Sequence, residues 1–228
     1  MNDRDTWDQE YTENKAIPSS HREQLSLPFQ AMEPFLELDD AEMVVEVGCG
    51  NGRHTAYLAR QEIDIEALDF SEGALEMARN RVEEEATGDQ VTLQQQDVTD
   101  GIPHDDSTAD IVIDSYVSCH FLDDRELEQY MEEVERILKP GGRLYWSGMA
   151  SSDGYYGELG ETHPDKNIVV DPLNNVAKRL YTHEEVQNGI PGAPAATYTI
   201  EMTFDDFIED HLFERHVLAA VYRFDGDG

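Results

Sequence analysis

The sequence predicts an α/β domain with a mostly parallel sheet and helices on both of its faces. Three observations carry this. From residue 43, short apolar runs alternate with helical patterns. The first run, "MVVEVG", leads into a glycine-rich turn, "GCGNG", and then a helical pattern. Two long strand-like runs then close the chain with no helix between them, as an antiparallel edge hairpin would.

Residues 1–40 read as one or two helices, with Leu27, Phe29, Met32, Phe35, Leu36 and Leu38 as apolar anchors and two prolines as breaks. "MVVEVG" (43–48) is a buried strand, "RHTAYLAR" (53–60) a helix and "DIEALDF" (64–70) a second strand. "SEGALEMARNRVEEEA" (71–86) is a helix capped by Ser71, with Leu75, Ala78 and Val82 on one face. "QVTLQQQDV" (90–98) and "ADIVIDSYV" (109–117) are the third and fourth strands. Leu127, Tyr130, Met131, Val134, Ile137 and Leu138 mark an amphipathic helix, which Pro-Gly-Gly should stop at 140–142. A fifth strand follows at 143–149, and 150–175, rich in Gly, Asp and Pro, reads as a long loop. Thr182 and Glu185 form a capping box for a short helix. The last two strands are 197–207 and 214–224.

With 228 residues, 39% of them hydrophobic, the chain suits one domain with a small appendage. Cys49 and Cys119 make no disulfide framework, and the acidic start "MNDRDTWDQEYTENK" lacks a signal-peptide pattern, so a cytoplasmic protein is expected. Fifty acidic residues face sixteen basic ones, a net of −34, and only four of the basic residues are lysines. The acids are spread along the whole chain, as in proteins of salt-loving organisms, where salt screens their repulsion. This charge disfavours nucleic-acid partners, because phosphates would be repelled. No histidine or cysteine spacing suggests a metal.

A strand, a bare turn and a helix start place backbone N–H groups at the carboxyl end of a sheet, where open α/β sheets bind ligands. The spacing is G-x-G-x-G, not the dinucleotide G-x-G-x-x-G. Asp69 ends the second strand, Asp97 the third, and Asp114 lies in the fourth. Together "VVEVGCGNGRHTAYLA", "ALDFSEGALEMAR", "QQQDVTDGIPHDDSTADIVIDSYVSCHFLDD" and "VERILKPGGRLYWSG" resemble the class I S-adenosylmethionine-dependent methyltransferases over about residues 40 to 150. The resemblance is to small-molecule methyltransferases, and with the acidic composition it implies a halophilic archaeal source.

The resemblance implies a Rossmann-like, doubly wound, seven-stranded sheet of order 3-2-1-4-5-7-6. It implies an N-terminal helical cap (1–40), a methyltransferase domain (41–228) and an acceptor-side insertion (150–196). By the same resemblance, Glu46, Gly48, Cys49, Gly50 and Gly52 cradle the amino-acid end of S-adenosyl-L-methionine. Asp69 takes the ribose hydroxyls, with Phe70 and Ser71 beside the adenosine. Asp97 and Val98 meet the adenine, and Ser115 and Tyr116 lie near the sulfonium. "WDQEYTEN" resembles a segment that folds over the cofactor, which would bring Trp7 and Tyr11 onto it. Glu46 also reads as a structural residue bonding to loop amides.

Methyl transfer from a sulfonium is an in-line displacement, in which alignment and exclusion of water carry much of the catalysis. Where the acceptor needs a base, His120 is the candidate. Trp146, Met149, Tyr155, Tyr156, Tyr181 and Tyr198 suggest an aromatic cover suited to a small, partly apolar acceptor. No Asn-Pro-Pro-Tyr-like or Pro-Cys motif points to nucleobases. A monomer or homodimer is expected. The rivals are an NAD(P)-dependent oxidoreductase and a non-catalytic cofactor-binding protein on the same fold.

Overall fold

The computed structural model describes all residues except 1–2, 15–19, 86–87, 160, 164–166, 209 and 226–228. At its centre lies β1 (Met43–Val47), four of whose five residues are buried. It is flanked in parallel by β2 (Asp64–Asp69) and β4 (Ala109–Ser115), with Val45 opposite Glu66 on one side and Val112 on the other. A strand paired on both edges and covered on both faces must be apolar throughout, which is why "MVVEV" shows no alternation. Outward from β2 lies β3 (Val91–Gln95), and outward from β4 lies β5 (Leu138–Met149). β9 (Ala196–Ile208) and β10 (His211–Phe224) form the antiparallel edge hairpin, with β10 against β5.

Two apolar layers sandwich this sheet. On one face α5 (Asp124–Ile137) buries Leu127, Tyr130, Met131, Val134 and Ile137. At about 1.5–3 kcal/mol for each large apolar side chain, this stripe alone is worth roughly 10 kcal/mol before entropy is charged. On the other face Phe29 and Met32 of α2 (Leu27–Met32), Leu58 of α3 (Arg53–Ala59) and Leu75 of α4 (Glu72–Glu84) cover Val44, Ile65 and Ile111. Side-chain caps fix the helix starts: Ser71 accepts from the Ala74 N–H, and Asp123 accepts from the Arg125 N–H. The capping box of Thr182 and Glu185 opens α7 (His183–Asn188). In the N-terminal region, α1 (Asp3–Gln9) runs into a π-helical turn, Glu10–Asn14.

The structure differs from the sequence expectations in three places. First, the helix stops at Ile137, and Leu138 is already extended, so "KPGG" lies inside β5. Leu138 pairs with Ala109, the ladder slips, and Arg143 resumes opposite Ile111, so the Pro-Gly-Gly residues form a bulge. Second, 150–175 is not a long loop. It holds α6 (Gly154–Leu159), β6 (Glu161–His163) and β7 (Ile168–Val170), and with β8 (Ala177–Arg179) the strands form a separate antiparallel sheet. Third, the main sheet runs β3-β2-β1-β4-β5-β10-β9, which differs in detail from the expected 3-2-1-4-5-7-6. The three extra strands intervene in the chain before the edge hairpin, so its members are the ninth and tenth. Among the described residues, no helix is long and apolar enough to cross a membrane.

Candidate active site

A cavity of about 730 Å³ opens at the carboxyl ends of the parallel strands. Its floor is the turn after β1. Gly48, Gly50 and Gly52 all hold left-handed backbone, with φ of 61°, 55° and 73°. At Gly50 the requirement is openness toward the cavity: a Cβ there would lie 2.7 Å from the Tyr11 hydroxyl. At Gly52 it is packing, since a Cβ would lie 2.8 Å from Cα of Ala78 in α4. Gly52→Ala therefore meets both backbone strain and a clash it cannot relieve by rotation. A loss of about 2–4 kcal/mol is expected in denaturant unfolding. A wild-type midpoint would show that α4 yields at this contact.

Asp69 terminates β2 and is buried beside this turn. One carboxylate oxygen accepts from the Gly50 N–H at 2.9 Å, the other from the Ser71 N–H at 2.9 Å. Burial raises its pKa to about 6, against the lowering effect of those bonds. Each oxygen keeps lone-pair capacity for a further donor. Glu46, also buried, accepts from the Thr55 hydroxyl at 2.5 Å and sits 3.5 Å from His54 Nδ1. It thus fastens α3 to β1 while also lining the cavity.

The loop after β4 forms the next wall. Asp114 is fully buried and accepts from the Val117 and Ser118 N–H groups and from the Tyr130 hydroxyl. Wrapping the chain onto that carboxylate drives Tyr116 to a φ of 67°, and the Tyr116 N–H donates to the Ser147 carbonyl at 3.0 Å. Such strain in a non-glycine residue costs about 1–3 kcal/mol and clusters at functional sites. His120 follows, with Nδ1 buried and without a hydrogen-bond partner among the described residues. Burial, with Lys178 adding to it, lowers its pKa to about 3. Burial pushes both Cys49 and Cys119 thiols upward, Cys119 to about 12, so both are protonated and unreactive at neutral pH.

An N-terminal strap crosses the cavity. Trp7 and Tyr11 line it, with ring centroids 6.2 Å apart, and Trp7 meets His120 edge-on at 5.6 Å. Several polar contacts tie the strap down. The Ser71 hydroxyl donates to Asp8 at 2.7 Å, and Arg22 donates to both oxygens of Asp206 at 2.7 Å.

Of the residues singled out in the sequence, Trp7, Tyr11, Glu46, Gly48, Cys49, Gly50, Asp69, Phe70, Val98, Ser115, Tyr116 and His120 share this one cavity. Gly52, Ser71 and Asp97 stand behind its wall. Ser71 is engaged with Asp8 and the Ala74 N–H. Asp97 caps the turn Val98–Asp100, accepting from the Thr99 N–H and hydroxyl, and neighbouring Gln96 lines the cavity in its stead. Of the expected aromatic cover, Met149, Tyr155 and Tyr156 line the cavity. Trp146 and Tyr181 pack together in the core at 4.9 Å, and Tyr198 stacks on Phe35 at the surface. Asp171, Lys178 and Arg215, which line the far wall, are not foreseen from the sequence. The one signal was scarcity: Lys178 is among only four lysines.

The residues present fit an adenosyl cofactor. The glycine turn leaves a cradle that a side chain would fill. Asp69 is a buried acceptor with spare lone pairs, and Phe70 and Val98 offer apolar surface for a flat base. Residues 44–142 match the methyltransferase domain family. Demethylmenaquinone methyltransferase of Clavibacter sepedonicus is 36% identical over 103 residues, spanning 45% of this chain and 39% of that protein. The chain spans under half the length of the first curated relatives it matches. In structure it is similar to the N-methyltransferase NodS of Bradyrhizobium japonicum in complex with S-adenosylhomocysteine (TM-score 0.65, 14% identity, 98% of this chain and 99% of that one). It is equally similar to the 1,6-didemethyltoxoflavin-N1-methyltransferase of Burkholderia thailandensis (TM-score 0.65, 17% identity, 97% and 86%). Residues 44–142 thus match a methyltransferase domain, and the chain as a whole has a fold similar to that of these methyltransferases.

Proposed function

We propose that the protein transfers a methyl group from S-adenosyl-L-methionine to a small-molecule acceptor by in-line displacement. The observation that carries this reading is the union, in one cavity, of the glycine turn with Asp69 and an aromatic wall of Tyr155 and Tyr156. Asp69 pairs with the ribose hydroxyls, Phe70 and Val98 flank the base, and the turn from Gly48 to Gly50 admits the amino-acid end. When bound, the cofactor supplies an activated methyl on a sulfonium. The chain then has to align the acceptor, hold its proton and keep water out. Trp7 and Tyr11 exclude water, while Tyr116 and His120 bound the space for the acceptor. Structural neighbours solved with S-adenosylhomocysteine, one of them also with its heterocyclic acceptor, support this assignment.

The finer readings stand with it. Residues 1–40 act as a cap and 150–196 choose the acceptor. The dispersed acidic residues adapt a monomer or homodimer to a salt-rich cytoplasm. Neither a nucleic acid nor a metal takes part. Calorimetric titration in high salt separates this reading from its rivals. S-adenosylhomocysteine should bind saturably and NAD(H) should not; saturable NAD(H) binding alone would replace the methyltransferase with an oxidoreductase. Release of S-adenosylhomocysteine with members of an acceptor panel then separates an enzyme from a non-catalytic binder.

A further inference from the structure

The far wall of the cavity holds two buried cations. Arg215, on β10, donates from Nε to Asp153 at 2.8 Å and from Nη2 to Met149 Sδ at 3.5 Å. Its guanidinium lies 5.3 Å from the Tyr155 ring centroid and 5.5 Å from that of Tyr156. Lys178, on β8, donates to Asp171 at 2.7 Å and to the Tyr156 hydroxyl at 3.1 Å. Its ammonium lies 5.9 Å from the Trp7 ring centroid. Burial opposes the Lys178 charge, but Tyr156 and Asp171 more than offset it, and its pKa rises above the ordinary lysine value. Both groups are cations at any physiological pH.

Their partners are not placed alike. Asp153 has no exposed side-chain surface, lies off the cavity wall, and is also held by the Tyr156 and His216 N–H groups. The pair therefore turns its positive end to the cavity. A guanidinium has five donors, so most of the Arg215 fork is left for a ligand. An ammonium has three, and Lys178 spends two. Four of the sixteen basic residues of this chain, Arg22, Arg53, Lys178 and Arg215, line this cavity against five of its fifty acidic ones. That near-balance sets the cavity apart from the rest of a chain of net charge −34, and it suits an acceptor with an anionic end.

We infer that the acceptor carries a carboxylate, received at the far wall by the Arg215 fork and the Lys178 ammonium. This rests on the methyltransferase reading and deepens it. The apolar body of such an acceptor lies against Tyr155, Tyr156 and Trp7. The Trp7 ring links Lys178 to His120, so an acceptor anchored at the cations brings its other end toward the loop that bears Tyr116 and His120.

The test uses isosteric pairs titrated calorimetrically into the full chain saturated with S-adenosylhomocysteine: salicylate against salicylamide, and indole-3-acetate against indole-3-acetamide. Each acid should bind about tenfold tighter than its amide, because a charge-assisted bond replaces a neutral one. R215Q should bring that ratio to near unity with unchanged S-adenosylhomocysteine affinity, which also certifies the fold. R215K, which keeps the charge, should retain much of the preference. Equal binding of acid and amide, absence of binding by all four probes, or a preference that survives in R215Q overturns the inference. Failure of S-adenosylhomocysteine itself to bind instead overturns the methyltransferase reading beneath it.

Discussion

Asp69→Asn is expected to weaken S-adenosylhomocysteine binding by about 100-fold, since hydrogen bonds to a charged acceptor are worth roughly 1.5–3 kcal/mol each. The amide keeps the shape of the carboxylate but sets an NH₂ group against either the Gly50 or the Ser71 N–H, so the turn loses a support too. The wild type should show a pH signature that the variant lacks. Burial raises the Asp69 pKa from 3.8 to about 6. Ribose hydroxyls donate best to the ionised form, so affinity should fall by up to about tenfold per pH unit below about 6 and stay level above it. The sign for folding is opposite. Between 3.8 and about 6 the folded protein binds this proton more readily than the unfolded chain. The free protein therefore gains stability from Asp69 as pH falls through that window, and Asp114, raised to about 6 as well, adds to it. Titration calorimetry and thermal melts from pH 8 to pH 5 read both trends; D69N binding that is as tight as the wild type removes Asp69 from the site.

His120→Ala is expected to lower kcat by about 100-fold or more, the scale of a lost proton-handling group, while leaving S-adenosylhomocysteine affinity within about twofold. The case rests on Nδ1, buried at the cavity without a partner among the described residues. A buried polar atom in that condition costs stability unless a ligand completes it. With its pKa lowered to about 3, the ring is neutral at working pH and would act by accepting a hydrogen bond that orients the nucleophile. The rate should consequently show no step near pH 6.5 from this residue. A variant with full kcat assigns His120 to packing against Trp7.

Sequence and structure agree where one physical signal dominates. The strands β1 and β4 are legible because a doubly covered strand is largely an apolar run, and α5 because its stripe has a helical period. The glycine turn and Asp69 are legible because backbone conformation and a strand-end carboxylate leave a local mark. The strands β6, β7 and β8 escape notice because three residues each are too short to display alternation. "KPGG" misleads because a helix stop and a strand bulge favour the same residues. The far wall is illegible for another reason. Asp171, Lys178 and Arg215 come from three separate elements, and only folding brings them together. Arg215 sits between Glu214 and His216 in "ERHVLAAVYRF", where nothing in the sequence marks it as the buried one of the three.

On the proposed reading, the strap across the cavity would set the order of events in a catalytic cycle. Tyr11 covers the turn at Gly50 with Trp7 beside it, while Arg215 lies on the edge hairpin. A cofactor seated on the turn lies beneath the strap, so it enters before the strap closes and leaves only after it opens. The ties that hold it include the Ser71 bond to Asp8 and the two-pronged pair of Arg22 with Asp206, and the latter, being partly exposed, weakens as salt rises. With such a strap over the cofactor, product exchange is expected to quicken with ionic strength, so salt would tune turnover as well as the stability of the fold.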